Sequence, residues 1–153
     1  MKKNNDLHTE FIDILIGLTQ ATRCCRQDTA FCEGVTFHQF IILDAAAKNK
    51  ELRISDLHSF LAVEKSTTTR LLNPLLAKGL LAKDKSTSDS RAFVLALTRE
   101  GRQTHRRVET CLTDFFNKVA GNLPAGQGEN ILANVRVLVN AIKNASGTCN
   151  CCQ

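Results

Sequence analysis

The chain of 153 residues has no Trp, no Tyr, one Met and two Pro, and its eight Gly are thinly spread. So few breakers leave no room for low-complexity linkers or disordered tracts. No apolar run approaches the ~20 residues of a membrane span. Nothing near Met1 has the charged and apolar regions of a signal peptide, so a cytosolic protein with no membrane partner is expected. A Gly-rich phosphate loop and a Gly-x-Ser-x-Gly elbow are both missing, and no enzyme is expected. The four histidines, His8, His38, His58 and His105, fall into no ligand pair, which weakens a mixed zinc site.

Apolar residues make up 43% of the chain and charged residues 23%, an ordinary globular balance. The length suits one domain, or one domain with a dimerisation appendage. Formal net charge is +5, and it is unevenly placed. Residues 48–107 hold 13 Lys/Arg against 6 Asp/Glu, and the remainder holds 7 against 9. A basic middle between near-neutral flanks suggests a polyanion-binding unit on a scaffold.

Seven cysteines are present, an awkward number for a disulfide framework, and without an export signal reduced thiols are expected. They cluster as Cys24, Cys25 and Cys32 towards one end and Cys149, Cys151 and Cys152 at the other, with Cys111 alone.

Periodicity organises the chain into helices with one hairpin. Leu7, Phe11, Ile14, Leu15 and Leu18 follow a three-to-four spacing that predicts an amphipathic helix to about residue 26. After a connector over 28–34, Thr36 caps a second helix with Phe37, Phe40, Ile41, Leu43 and Ala47 facing inward. A short strand at 52–54 leads to a third helix over 56–62, capped by Ser55, that should bury Leu57, Phe60 and Leu61. Ser66 caps a fourth helix over 66–78, with Leu71, Leu72, Leu75 and Leu76 inside, Pro74 as a local bend, and Gly79 as the terminating residue. Segments 80–83 and 92–98 read as strands around a polar tip at 84–90. Thr98 then caps a long helix, and a last helix spans 129–144.

Two short helices joined by a tight turn and followed by a hairpin make a winged helix-turn-helix. The fold class is therefore mostly α with a small β-hairpin wing, the motif lying between terminal helices. Residues 1–34 form an N-terminal dimerisation helix and connector, 35–107 the DNA-binding region with its wing at about 80–98, and 108–153 the C-terminal dimerisation helices and a cysteine-rich tail. The terminal helices cannot bury their apolar faces on so small a domain, so a homodimer built from them is expected.

The run Ser66-Thr67-Thr68-Thr69-Arg70-Leu71-Leu72-Asn73-Pro74-Leu75-Leu76-Ala77-Lys78-Gly79-Leu80-Leu81 resembles the recognition helix and strand entry of the MarR family of bacterial transcriptional regulators. Asp89-Ser90-Arg91 and Leu97-Thr98-Arg99-Glu100-Gly101-Arg102 resemble that family's wing signature and the start of its long helix. The resemblance implies a homodimer on a pseudo-palindromic operator in double-stranded DNA, usually repressing until a small effector loosens it. It places Ser66, Thr67, Thr68 and Thr69 at base edges and phosphates. Arg70 suits a guanine or a phosphate. Arg91 suits a narrow minor groove with Asp89 orienting it, and Lys65, Lys83 and Lys85 add phosphate contacts. Taken singly, a Ser/Thr cluster is equally a helix cap, and Asp89–Arg91 equally an exposed ion pair.

The cysteines point to the effector. Cys149, Cys151 and Cys152 follow a helix-ending Gly147, so they do not fill a helical core, and Cys24-Cys25 sits between Arg23 and Arg26, whose charge favours thiolate. In the family's dimer the first and last helices pack together, which brings the two clusters within reach of one another. Thiolates select soft ions, and adjacent cysteines suit a pyramidal three-sulfur ion, so an arsenite-like metalloid is favoured, with Cys32 as a further ligand and Cys111 as a core residue. No cofactor is required for folding. The rival sensing modes are thiol oxidation by two cysteines, a small aromatic ligand, or an idle tail. An RNA-binding or protein-interaction winged helix is the reading outside transcription control.

Overall fold

The computed structural model describes residues 2–22, 30–61, 63–86 and 92–147. In chain order these form α1 (Lys2–Ala21), β1 (Ala30–Cys32), β2 (Val35–Thr36), α2 (Phe37–Lys48), β3 (Leu52–Arg53), a 3-10 turn (Ile54–Asp56) and α3 (Leu57–Leu61). Then follow α4 (Lys65–Ala77), β4 (Leu81–Lys85), β5 (Phe93–Leu97), α5 (Arg99–Gly121) and α6 (Gly128–Ser146). The expected mostly-α winged helix-turn-helix is what forms. Two compact units are present, Met1–Cys111 and Leu112–Gln153. No helix among the described residues is long and apolar enough to cross a membrane.

The core lies in the first unit. Ile42 and Leu43 of α2, Leu52 of β3, Leu57 of α3, Leu75 of α4, Leu95 of β5 and Val108 of α5 are fully buried. Each fully buried aliphatic side chain contributes on the order of 1.5–3 kcal/mol. Thr36 begins α2 through a reciprocal cap: its Oγ1 accepts from Gln39 N at 3.2 Å, and Gln39 Oε1 accepts from Thr36 N at 3.0 Å. Gln39 also donates from Nε2 to Leu71 O at 3.4 Å. That polar side chain is drawn inward, and the buried stripe becomes Gln39, Ile42, Leu43, Ala45 and Ala46. The stripe expected from hydropathy is rotated accordingly, leaving Phe37, Phe40 and Ile41 half-buried and Ala47 exposed.

Two further expectations shift. Ser55 does not cap a helix but lies inside the 3-10 turn that precedes α3, and Phe60 is 52% exposed while Leu57 and Leu61 are buried. A five-residue helix turns only one narrow face to the core, and Leu57 and Leu61, one turn apart, fill it. Likewise Ser66 is not the cap of α4. Glu64 holds that position without a side-chain cap bond, and its carbonyl accepts from Thr68 N at 3.0 Å.

Pro74 sits within a continuous α4. The helix closes as Gly79, with φ of 66°, turns left-handed: Gly79 N donates to Leu76 O at 3.0 Å and Leu80 N to Leu75 O at 2.9 Å, the Schellman pattern. This turn feeds β4. The sheet order is β3-β5-β4, antiparallel, with Leu81 opposite Leu97, Lys83 opposite Leu95 and Lys85 opposite Phe93. The strand thus runs to Lys85, past the expected end at 83. Thr98 caps α5 as expected: its Oγ1 accepts from Gly101 N at 2.9 Å and donates to Gly79 O at 2.6 Å.

The apolar faces of the terminal helices are open. On α1, Leu7, Phe11, Ile14, Leu15 and Leu18 are exposed. In the second unit Phe115, Phe116, Val119, Leu132, Val135, Val139 and Ile142 are exposed, and α6 buries no residue.

Candidate nucleic-acid interface

The first turns of α4 sort the predicted contact residues by face. Lys65, Ser66, Thr69 and Arg70 are exposed and Thr67 is half-buried. Ser66, Thr67 and Arg70 line one shallow recess of about 150 Å³, as residues three and four apart on a helix should. Among the described residues Arg70 has no ion-pair partner, and its guanidinium is available to a base edge or phosphate. Thr69 spends its hydroxyl proton on Lys65 O at 3.1 Å.

Thr68 corrects the sequence expectation. It is only 1% exposed, packed on the face that carries Leu71, Leu72 and Leu75, with its hydroxyl donating to Glu64 O at 3.3 Å. Four hydroxyl residues in succession cannot share one face of a helix. The one that points inward fills core volume and has no reach to nucleic acid.

On the wing, Lys83 and Lys85 are exposed. Lys83 Nζ lies 4.2 Å from the ring centroid of Phe93, an exposed aromatic on the neighbouring strand. The alternation of β5 predicts Phe93 on the inward face with Leu95 and Leu97. At the tip that face runs beyond the core, and the ring instead supports the Lys83 ammonium. Asp89 and Arg91 lie outside the described residues.

A second polar group sits between α2 and α5. His105 Nε2 is 3.2 Å from Asp44 Oδ1, its ring is stacked on Phe40 at 5.4 Å, and Lys48 Nζ reaches Asp44 Oδ2 at 2.6 Å. Burial pulls the Asp44 carboxyl up, but hydrogen bonds and charge from Lys48 and His105 outweigh it and hold Asp44 below the usual value. Beside this group a cleft of about 530 Å³ is lined by Lys48, Lys50, Leu97, Arg102, His105 and Arg106 among others. Hydropathy carries no signal for the cleft, because it needs the end of α2 beside the start of α5.

Of the thiols expected to bind a soft ion, Cys24, Cys25, Cys149, Cys151 and Cys152 lie outside the described residues. Cys32 and Cys111 are both free and half-buried. Burial, then the influence of Cys111 and the Glu33 charge, push the Cys32 thiol up to about 11. Cys111 is therefore not the closed core residue its helical position suggests. Among the described residues no group of three or more His, Cys, Asp or Glu is arranged to hold a metal.

Residues 35–93 match the model of the MarR family. Over this stretch, which holds the winged helix-turn-helix, the chain is similar to the MarR family. A putative transcriptional regulatory protein for the hcr operon of Thauera aromatica is 35% identical over 77 residues, which are 50% of this chain and 46% of that protein, so the match spans about half of its length. Among solved structures, the PcaV transcriptional regulator of Streptomyces coelicolor, in complex with its natural ligand, superposes with a TM-score of 0.69 at 24% identity, covering 84% of this chain and 91% of that one. FabT of Streptococcus pneumoniae, in complex with DNA, gives 0.59 at 20% identity over 97% and 99%. These likenesses show the fold. The family's members are transcriptional regulators and not enzymes, and this chain carries their winged helix-turn-helix.

Proposed function

We propose that this chain is a MarR-type transcriptional regulator, a homodimeric repressor that sets α4 into successive major grooves of a pseudo-palindromic operator and its wings into the flanking minor grooves. The observation that carries this reading is the outward face of α4. Ser66, Thr67 and Arg70 converge on one recess while Thr68 and three leucines anchor the opposite side. A recognition helix needs that division: a fixed back and a short polar front at its N-terminal end. The +5 charge and the exposed Lys65, Lys83 and Lys85 support it. The open apolar faces of α1, α5 and α6 support a second copy as partner, since so many exposed large side chains are unusual for a monomer.

The effector we propose is a soft metal or metalloid of arsenite type, held by thiols from Cys24, Cys25, Cys32, Cys149, Cys151 and Cys152. A hundredfold loss of occupancy requires the effector to favour the non-binding state by about 2.7 kcal/mol, well within thiolate–metal energies. The cleft lined by Lys48, Lys50, Arg102 and Arg106 favours a second reading, a small aromatic acid as effector.

Fluorescence anisotropy of the reduced protein with duplex from upstream of its own gene tests the proposal. Tight, salt-sensitive binding that Arg70→Ala weakens, and that stoichiometric arsenite releases, is expected. Equal affinity for random duplex overturns the repressor reading, and binding indifferent to arsenite overturns the metalloid reading alone.

A further inference from the structure

The two faces of the β4–β5 hairpin differ in chemistry. Cross-strand partners share a face, and successive residues alternate between faces. One face carries Leu81, Lys83 and Lys85 with their partners Leu97, Leu95 and Phe93. The other carries Asp84 opposite Val94 and Ala82 opposite Ala96. Leu81, Leu95 and Leu97 take the first face into the core that also holds Leu71, Leu72 and Leu75 of α4. It is therefore the face turned to the recognition helix. Beyond the core it continues as Lys83, Lys85 and Phe93, all exposed, while the acidic Asp84 stands on the far side. Phe93 is 42% exposed, so burial does not account for an aromatic ring there. Lys85 is directly opposite Phe93, and Lys83 is diagonal to it, a separation that long and aromatic side chains bridge. Lys83 Nζ accordingly lies 4.2 Å from the ring centroid. Among the described residues no carboxylate forms an ion pair with Lys83.

We propose that Phe93 is a positioning residue of the DNA interface: its ring holds the Lys83 ammonium against the sugar-phosphate strand that passes between α4 and the wing. The inference rests on the DNA-binding reading above. A helix in the major groove and a wing in the adjoining minor groove straddle one such strand. The hairpin face turned to α4 is the face that this strand meets. A free lysine has many rotamers, and ordering them on contact costs affinity. The negative face of the ring orders the ammonium beforehand. An ammonium has three N–H donors, so a ring on one side of it leaves donors for a phosphate oxygen. A carboxylate in the place of the ring would also hold the lysine, but it would cancel the charge and repel the phosphate. The aromatic holds it and keeps the charge. Such a grip adds affinity and register, and carries no choice of base.

The test is a double-mutant cycle on the full chain, read by fluorescence anisotropy with duplex from upstream of its own gene at several salt concentrations. Lys83→Ala should weaken binding and lower the salt slope by about one per wing. Phe93→Leu should weaken binding about two- to fivefold per wing, the size of an exposed cation–π contact. Phe93→Trp should restore it, and Phe93→Leu should cost nothing further in the Lys83→Ala protein. An equal loss in both backgrounds overturns the positioning role, since the ring then acts without Lys83. Unchanged affinity and slope in Lys83→Ala overturn the phosphate contact. NMR of the free wild-type protein supplies a readout that needs no change at Phe93 and no DNA. The ε-methylene protons of Lys83, assigned by their loss in Lys83→Arg, should be shifted upfield by the ring. Lys83 protons at the ordinary lysine position overturn the contact, whether or not Phe93→Leu folds. Absence of DNA binding by wild type instead refutes the function proposed above, and the phosphate role with it, and leaves the upfield shift intact.

Discussion

Replacing Gly101 by Ala sets two effects of opposite sign against each other at the joint between α5 and the wing. Helix propensity alone favours Ala by about 1 kcal/mol. A Cβ at this position, however, would lie 1.9 Å from Leu80 O, 2.9 Å from Leu80 C and 3.2 Å from Leu97 Cδ2. The first two are backbone atoms, so no rotamer change relieves them. The Leu80 carbonyl is itself held, accepting from Thr98 N at 3.2 Å and from Thr98 Oγ1 at 3.3 Å. Opening the joint to ordinary contact loosens the cap of α5 as well. Overpacking against rigid surroundings costs typically 1–3 kcal/mol and occasionally more. The upper end applies here, so after subtracting propensity Gly101→Ala should destabilise by about 2 kcal/mol. At this chain length that lowers Tm by roughly 4–8 °C. Thermal melts at one fixed protein concentration measure it, because any self-association makes Tm depend on concentration. Gly121→Ala is the control: nothing lies within 4 Å of its Cβ, and it should be neutral or gain up to about 1 kcal/mol. A Gly101→Ala protein as stable as wild type would refute the close α5–wing joint.

Other outcomes follow from the same geometry. Thr36→Ala removes one half of the reciprocal cap of α2 and should cost about 1 kcal/mol in urea titration; an unchanged midpoint counts against the cap. Arg70→Ala should weaken operator binding by roughly 1–3 kcal/mol and leave the sedimentation behaviour unchanged, and full affinity would remove Arg70 from the interface. Burial holds the His38 imidazole below its ordinary value, and its Nδ1 has no hydrogen-bond partner among the described residues. A base depressed in the folded state binds more protons when unfolded, so its contribution is present above about pH 6.5 and is lost on acidification below it. His38→Phe should therefore flatten the fall of Tm between neutral and mildly acid pH, and an unaltered slope refutes this. Asp44, held low by Lys48 and His105, contributes stability that is full above the ordinary carboxylate range and disappears as pH falls through its folded value. Asp44→Asn should remove that acid-side loss from the same melts.

Much of the architecture was legible because it is written in local chemistry. Thr36 with Gln39 three residues on, Thr98 ahead of α5 and Gly79 after α4 are helix boundaries set by neighbouring atoms, and each forms as the residue types require. The winged motif and its family likeness rest on a run of contiguous residues and needed no tertiary information. Ser66 failed as a cap because α4 begins one residue earlier, with Glu64 at the cap position, and Ser55 because a 3-10 turn takes up the residues before α3. Which hydroxyls face outward on α4 depended on the core behind it. Thr68 was taken inside because the packing of Leu71, Leu72 and Leu75 fixed the rotation of the helix.

Long-range pairs were decided by tertiary structure alone. Nothing in the spacing of Glu33 and Arg107 joins them. They meet because the β1–β2 hairpin reaches one face of α5. Gly34 and Lys78 are likewise joined only when that hairpin reaches the end of α4. The sequence by itself determined which segments are helical, the boundaries set by Thr36, Gly79 and Thr98, and which stretch is basic, since these depend on neighbours within a few residues. Which side chains share a site was left to the fold, because contacts between distant segments depend on how the elements pack.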